Sequence, residues 1–573
     1  MLRIGSWAAL CLLLAATLVG TLTFDRRSWP GLVGDEATYL MQAQSLAWDF
    51  DLRYSRRDFD RFVEQWGVRP EGLILQSGDG GRTLTYSKPA SYAAFVAPFL
   101  RLSPLRGAII ANALLLALAA ALSARTLERR IGPAAPLWVA VWIFASVVFA
   151  YVFWVHADLF MMSLTAISLA LAYGASPEES RVKAGLRWGA AALFIFLVAA
   201  SRPFYLALLL PVVLTIPKEQ RKLGFPILIG IFILVTVIPV FANLAEGDAW
   251  TVYGGERQSF DSATGFPEVD FPASAWKDQI ALRGSRVWRP ADVFDLRLTA
   301  WNALYFLSGR HVGVLPYYLP LLLGLLAFRR GEGRGWLIVA VLAACACFLL
   351  TRPFNFYGGG GAIANRYFLP LYPALWFAAG RPARASWAVA CALLAAPFLW
   401  PLWKQPAAYM LDEDLGYRYV SAAARDWLPY ETTQSHLKPG GGEDFMHQDF
   451  WIKPLTPSVR PEAGGAWIRL TGEGQILLGS EQPLREIRLL LRPPLPASLG
   501  ISGAETLKEI PRPGGRSLRI LRLDGPRAVH RMWWGPELMY LYQFRIEIPE
   551  GTGVSLQLRP PGRALTTPGK GTA

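Results

Sequence analysis

Repeated apolar runs, each about as long as a bilayer is thick, constrain this chain more than any other feature. A helix rises about 1.5 Å per residue, so roughly 20 residues cross about 30 Å of hydrocarbon. On that ruler the sequence predicts spans near 4–23, 107–124, 135–154, 158–174, 187–201, 203–216, 223–243, 313–328, 335–350, 367–379 and 385–402. Only 17% of the residues are charged, and 53% are hydrophobic, where about 25% charged is usual in soluble domains. The expected fold is therefore mainly α, a polytopic transmembrane helical bundle of about 11 spans. Residues 1–23 have a basic start and an apolar body longer than a signal-peptide core, and read as a retained anchor.

Charge sets the direction of threading, because lysine and arginine favour cytoplasmic loops. Arg125, Arg129 and Arg130, then Arg181, Lys183 and Arg187, then Lys218, Arg221 and Lys222, then Arg329, Arg330 and Arg334, then Arg381 and Arg384 all fall on one side. The alternate connections, near His156-Ala157-Asp158 and Ser201-Arg202-Pro203, carry far less charge. This predicts a multi-pass protein of the cytoplasmic (inner) membrane, with its N-terminus inside and Asp35 outside. It also accounts for the net charge of +14 without nucleic acid. Cys11, Cys345, Cys347 and Cys391 all lie in apolar runs, as small buried hydrophobes do.

The organisation follows from these spans. Residues 1–403 form the transmembrane catalytic domain, with 25–106 as a first outer loop and 244–312 as a second. Within the first loop, 35–48 has a helix-compatible apolar pattern, the stretch through Arg82 reads as loop, and the run after Pro89 as a second juxtamembrane helix. Another outer loop, 351–366, holds Tyr357 and the glycines Gly358 to Gly361. It lacks the Gly-Lys-Ser/Thr end of a phosphate-binding Walker motif. Residues 404–460 read as a linker. From 461 to 560, short alternating runs separated by Pro and Gly predict an extracytoplasmic β-sandwich-like domain. Residues 561–573 read as a disordered tail.

The chemistry centres on Gly34-Asp35-Glu36-Ala37-Thr38-Tyr39, just beyond the first run. Carboxylates are costly in hydrocarbon and stay at its edge or line a polar site. Asp35 and Tyr39, four apart, share a helix face, and the helix N-terminus favours the ionised acid. Asp158, after His156, is a second outer-face acid. Were the two acids to approach, each would raise the other's pKa and tune one towards a general base. Lys88, Arg202, Arg257, Arg310, Arg352 and Arg366 gather on the same side, as an anionic lipid phosphate requires. Acids beside a phosphate seat suit transfer of a sugar from a lipid phosphate to a hydroxyl. No nucleotide-linked donor is at hand on that side of a membrane. The metal requirement is left open: an acid pair is compatible with a divalent metal ion, but no complete ligand set is visible.

Taken in order, Gly34-Asp35-Glu36-x-x-Tyr39, Lys88-Pro89, Asp158 and Arg366-Tyr367-Phe368-Leu369-Pro370-Leu371 resemble the GT-C superfamily of membrane glycosyltransferases. The nearest branch is that of the protein O-mannosyltransferases and the aminoarabinose lipid A transferase (glycosyltransferase family 39-like). Ala90 follows Lys88-Pro89, where the mannosyltransferases have a longer His-Pro-Pro-x-x-Lys pattern. The resemblance covers roughly 1–400. It implies that Asp35 is the catalytic base, with Glu36 and Asp158 as further catalytic acids. Tyr39, Lys88, His156, Arg202, Arg257, Tyr357, Arg366 and Tyr367 are then the candidate substrate-binding residues. The expected activity is inverting transfer from a polyprenyl-phosphate sugar to a lipid, glycan or protein hydroxyl on the periplasmic or extracellular face. The alternatives are a glycan polymerase or ligase using a lipid-linked oligosaccharide, a transporter, or a non-catalytic assembly platform.

Overall fold

The computed structural model describes residues 1–24, 32–174, 179–216, 229–230, 256–260, 265–270, 296–329, 331, 333–353, 355–358, 364–406, 420–429, 431, 445–446, 451–454, 456, 458–462, 467–480, 483–526, 528–531, 538–549 and 551–559. The expected span 223–243 except 229–230, most of the loop 244–312, the glycines Gly359 to Gly361 and the tail 561–573 lie outside these residues.

Helix α1 (Leu2–Thr23) opens the chain and packs against α5 (Gly107–Ile131) and α6 (Ala135–Phe144). Between α1 and α5 come α2 (Asp35–Trp48), α3 (Arg56–Trp66), β1 (Leu73–Ser77), β2 (Thr85–Tyr86) and α4 (Ala90–Leu102). Helix α2 starts where Gly34 takes a φ of 61°, a conformation that costs glycine little. Asp35 and Glu36 occupy its first turn, where the helix dipole favours acids. The start is held from outside: Gly34 N donates to the Glu71 carbonyl at 2.6 Å, and Ile74 N to the Thr38 hydroxyl at 2.9 Å.

The segment before Arg82 is not the loop that the sequence predicts. A capping box, in which Ser55 N donates to Asp58 at 2.9 Å, starts α3, and left-handed Gly67 ends it. Polar composition hid this helix; its cap residues were the available signal. Strand β1 then pairs with β2 and with β3 (Glu256–Phe260). Helix α4 packs along α2, and Gln42 Nε2 donates to the Lys88 carbonyl at 2.8 Å.

Among the described residues, five helices are long and apolar enough to cross a membrane: Leu2–Thr23, Gly107–Ile131, Val182–Ser201, Arg334–Thr351 and Ala385–Lys404. Several expected spans are instead short or broken. The run 135–154 becomes α6 and a 3-10 turn, Val148–Phe153. Here the Ser146 hydroxyl donates to the Trp142 carbonyl at 2.6 Å, a back-bond that competes with helical pairing. The run 158–174 is α7 (Ala157–Tyr173), and α8 (Arg181–Ser201) follows it. The run 203–216 divides into Pro203–Leu208 and Leu209–Leu214. Pro320 separates Val314–Tyr317 from Leu321–Leu326. The run 367–379 starts as a 3-10 turn, Leu369–Leu371, before Tyr372–Ala378. One apolar core runs through these elements. At its centre Trp142 stacks on Trp376, with centroids 5.5 Å apart and planes 5° apart, and its Nε1 donates to the Pro320 carbonyl at 2.8 Å.

Past the last long helix, the buried Glu431 carboxylate accepts from the His311 and Val312 amides at 2.6 and 3.0 Å. The C-terminal part has β4 (Phe445–Met446), β5 (Trp451–Pro454), β6 (Val459–Pro461), β7 (Ile468–Thr471), β8 (Glu473–Ser480), β9 (Glu486–Arg492), β10 (Gly500–Ser502), β11 (Ala504–Arg512), β12 (Arg516–Leu523), β13 (Ala528–Arg531), β14 (Leu538–Glu547) and β15 (Gly553–Arg559). Strands β4 and β5 fall within the stretch read as linker, and β6 straddles its end. One antiparallel sheet runs β10-β14-β8-β5-β4, with β13 on β14; the other runs β11-β12-β9-β15-β7-β6. Their inward residues, among them Ile476, Leu478, Phe544, Leu489, Leu521 and Leu556, make one apolar cluster.

Trp142→Ala removes the stacked pair and a buried hydrogen bond. The expected loss is about 3–5 kcal/mol, read as a lowered melting temperature in detergent; an unchanged melt would show that this pair does not hold the bundle.

Candidate functional site

Four separate elements bring charged side chains to one place. Asp35 stands at the first residue of α2, Lys88 just before α4, His156 and Asp158 at the start of α7, and Arg366 before the 3-10 turn Leu369–Leu371. Each element begins or breaks here, so none of these charges needs to enter an uninterrupted helix.

Asp35 is the hub. Its Oδ1 lies 2.5 Å from Lys88 Nζ, and its Oδ2 lies 3.0 Å from His156 Nε2 and 3.1 Å from Arg366 Nη2. Arg366 Nη1 is also 2.9 Å from His156 Nε2. Behind them is Asp158. Its Oδ2 is 2.9 Å from His156 Nδ1, and its Oδ1 accepts from Arg202 at 2.9 Å. The imidazole thus sits between two carboxylates. His156 and Asp158 are buried, whereas the Asp35 side chain keeps 22% of its exposure and Lys88 10%. Asp35 is therefore the carboxylate within reach of an incoming molecule.

The aromatic wall positions these charges. Trp154 stacks on His156 at 4.4 Å, and Tyr39 meets the imidazole edge-on at 5.1 Å. Lys88 Nζ lies 5.8 Å from the centre of the Tyr39 ring, so the expected sharing of one face by Asp35 and Tyr39 is what the helix provides. Glu36 is directed elsewhere: its carboxylate accepts from the Val155 amide at 3.2 Å. Tyr367 is covered by Arg202 at 4.4 Å, and its hydroxyl receives Arg352 Nη1 at 3.3 Å. Tyr357 contributes its carbonyl, which accepts from Arg366 N at 3.1 Å. Arg257 stands on β3 opposite Gln76, and its charge bears on Lys88. Trp154 was passed over in the sequence, where one more aromatic in an apolar run carries no mark.

The expectation that Asp158 would raise the pKa of Asp35 fails. Burial does push the Asp35 carboxyl up, but Lys88, the His156 hydrogen bond and Arg366 together hold it well below the usual range. Cations, not the second acid, are its immediate neighbours. Lys88 is shifted the other way. Burial lowers its ammonium to about 8, with Asp35 opposing and Arg257 assisting the fall. The three cations Lys88, Arg202 and Arg366 outnumber the carboxylates Asp35 and Asp158 by one. Such a site is short of negative charge and suited to an anion.

A divalent ion fits poorly. Among the described residues no group of three His, Cys, Asp or Glu is arranged to hold a metal, and the Asp35 and Asp158 carboxylates face lysine, arginine and histidine.

Fold and site together define a multi-pass membrane protein with a charged centre and a C-terminal β region. No protein-family model and no curated protein matches the chain. Among solved structures it is similar to ArnT from Cupriavidus metallidurans bound to undecaprenyl phosphate, at 15% identity over 68% of this chain and 64% of that one, with a TM-score of 0.39. The apo state of the same protein gives 16% identity, 69% and 65% coverage, and 0.39. Arabinosyltransferase EmbB from Mycobacterium smegmatis gives 11% identity, 96% and 64% coverage, and 0.32. The chain spans less than two thirds of the length of each of these solved structures.

The Lys88 charge is present below about pH 8 and lost above it, because burial favours the neutral amine. Binding of inorganic phosphate, followed by calorimetry from about pH 7 to about pH 9, is expected to weaken with rising pH in the native protein and to stay level in Lys88→Arg, whose guanidinium does not deprotonate. Identical profiles for the two proteins would contradict this placement of the charge.

Proposed function

We propose that this chain is an inverting glycosyltransferase of the cytoplasmic membrane, moving a sugar from a polyprenyl-phosphate donor to a hydroxyl acceptor on the extracytoplasmic face. The observation that carries this reading is the contact of Asp35 with both Lys88 and Arg366. The candidate base and the candidate phosphate clamp are the same ion-paired group. In this reading residues 1–403 are the catalytic domain, and 461–560 a β-sandwich standing outside the membrane.

The chemistry follows from that sharing. With no ligand, Asp35 is held ionised and is a weak base, because Lys88 and Arg366 stabilise its charge. A lipid phosphate entering beside them draws the same N–H groups to its oxygens. Asp35 then loses part of its stabilisation and its proton affinity rises, at the moment an acceptor hydroxyl is in place. Asp35 takes the hydroxyl proton. The acceptor oxygen bonds to the anomeric carbon, and the bond from that carbon to the phosphate oxygen breaks. The departing electron pair goes to the lipid phosphate, whose developing charge Lys88 and Arg366 stabilise. Asp158 and Arg202 keep His156 and Arg366 in place, Tyr39 and Tyr367 shape the walls, and Glu36 fixes the 155 backbone behind them. No step requires a metal.

The test is Asp35→Asn, which keeps the shape and removes the charge. Membranes carrying it are expected to contain normal amounts of folded protein. Transfer of labelled sugar from lipid to acceptor should fall by about 100-fold to 10,000-fold, the range of general-base contributions. Transfer at the native rate would remove Asp35 from the chemistry.

A further inference from the structure

The outward face of the second β sheet carries an ordered pattern that the transfer centre does not use. Register places Arg512 opposite Arg516, Arg492 beside Arg516, Ser555 opposite both Arg492 and Arg469, and Arg460 opposite Arg469. One transverse row thus crosses all six strands, with arginine on five of them. Four residues along the strands lies a second row, Lys508, Ile520, Arg488 and Arg559, paired in the same way. Between the two run Ile510, Leu518, Leu490 and Gln557. Residues on one transverse row of a sheet share a face. These belong to the outer one, because the alternate residues Ile487, Leu489, Leu491, Leu521, Leu556 and Leu558 fill the core between the sheets.

Like charges directly opposite one another destabilise a sheet, so the pattern has a cost. Acids offset only part of it: Glu462 pairs with Arg492, and Glu505 with Arg522 at 3.6 Å. Among the described residues, Arg469, Arg488, Arg512, Arg516 and Arg559 have no ion pair. Burial and the nearby Arg516 both lower the pKa of the Arg559 guanidinium, a sign of crowded positive charge. At about 3.3 Å per residue the two basic rows stand roughly 13 Å apart, and at about 4.8 Å per strand the track is more than 20 Å long.

We propose that this face binds an extended anionic glycan laid across the strands, with its carboxylate or phosphate substituents on the arginine rows. The inference does not depend on the transfer reading. An anionic polysaccharide is favoured over a lipid surface because Leu490 and Leu518 are only 6% and 7% exposed, leaving little apolar surface to insert into hydrocarbon.

The experiment uses the full-length protein in neutral detergent with polygalacturonate, neutral dextran, and vesicles of phosphatidylglycerol as probes. Polygalacturonate is expected to bind and dextran not to bind. Binding should weaken as salt rises, since screening shortens the reach of surface charge. Arg488→Glu with Arg516→Glu is expected to weaken polygalacturonate binding by about tenfold or more. Arg488→Gln with Arg516→Gln provides the same comparison should the charge reversal lower the melting temperature. Absence of polygalacturonate binding, binding untouched by both double variants, or capture of vesicles alone would overturn the assignment.

Discussion

The rest of the site depends on the neutralisation of one carboxylate. Asp35 lies in largely dehydrated surroundings, where an unpaired charge is expensive. Lys88, His156 and Arg366 offset that cost, and each arrives from a different part of the chain. Losing one partner leaves the others short of a counter-charge, since breaking a buried pair costs more than the pair contributes when intact. The same dependence would make the site respond to an anion, as the proposed function requires. In the proposed function a phosphate competes with Asp35 for the cations, so that binding and proton affinity are linked.

The surrounding architecture follows from the need to bring these groups to an edge. A continuous apolar helix cannot expose its backbone or turn a charged residue outward midway. The chain instead interrupts itself near the site. Gly34 starts α2, Pro89 precedes α4, a 3-10 turn precedes His156, and another follows Arg366. Long helices such as α5 and α8 supply the frame, while short ones carry the chemistry to its place. The Trp142–Trp376 stack ties two of the short helices together by packing.

Much of this was legible in the residues. The Asp35–Trp48 helix and the helix after Pro89 follow from apolar spacing, and most of the later strands from alternation. Asp35, Lys88, His156, Asp158, Arg202 and Arg366 were each visible as charges or an imidazole beside apolar runs, and they meet. Their pairing was not legible. The sequence gives no sign that cations would reach Asp35 before Asp158 does, so the direction of its shift came out reversed. Helix α3 was missed because its composition is polar although its caps are good. Several spans were drawn whole because hydropathy does not register a proline or a serine back-bond. Arginine rows across a sheet are invisible in one dimension, since their members lie up to about a hundred residues apart and only strand register aligns them.

The proposed function makes a lipid phosphate the group for which Asp35 and its cations are arranged. It is tested most directly by mass spectrometry of the lipid-linked sugars in cells from which the chain has been deleted. Accumulation of a polyprenyl lipid carrying one sugar through a single phosphate is the expected result. An unchanged lipid profile, or accumulation of a diphosphate-linked oligosaccharide instead, would contradict it.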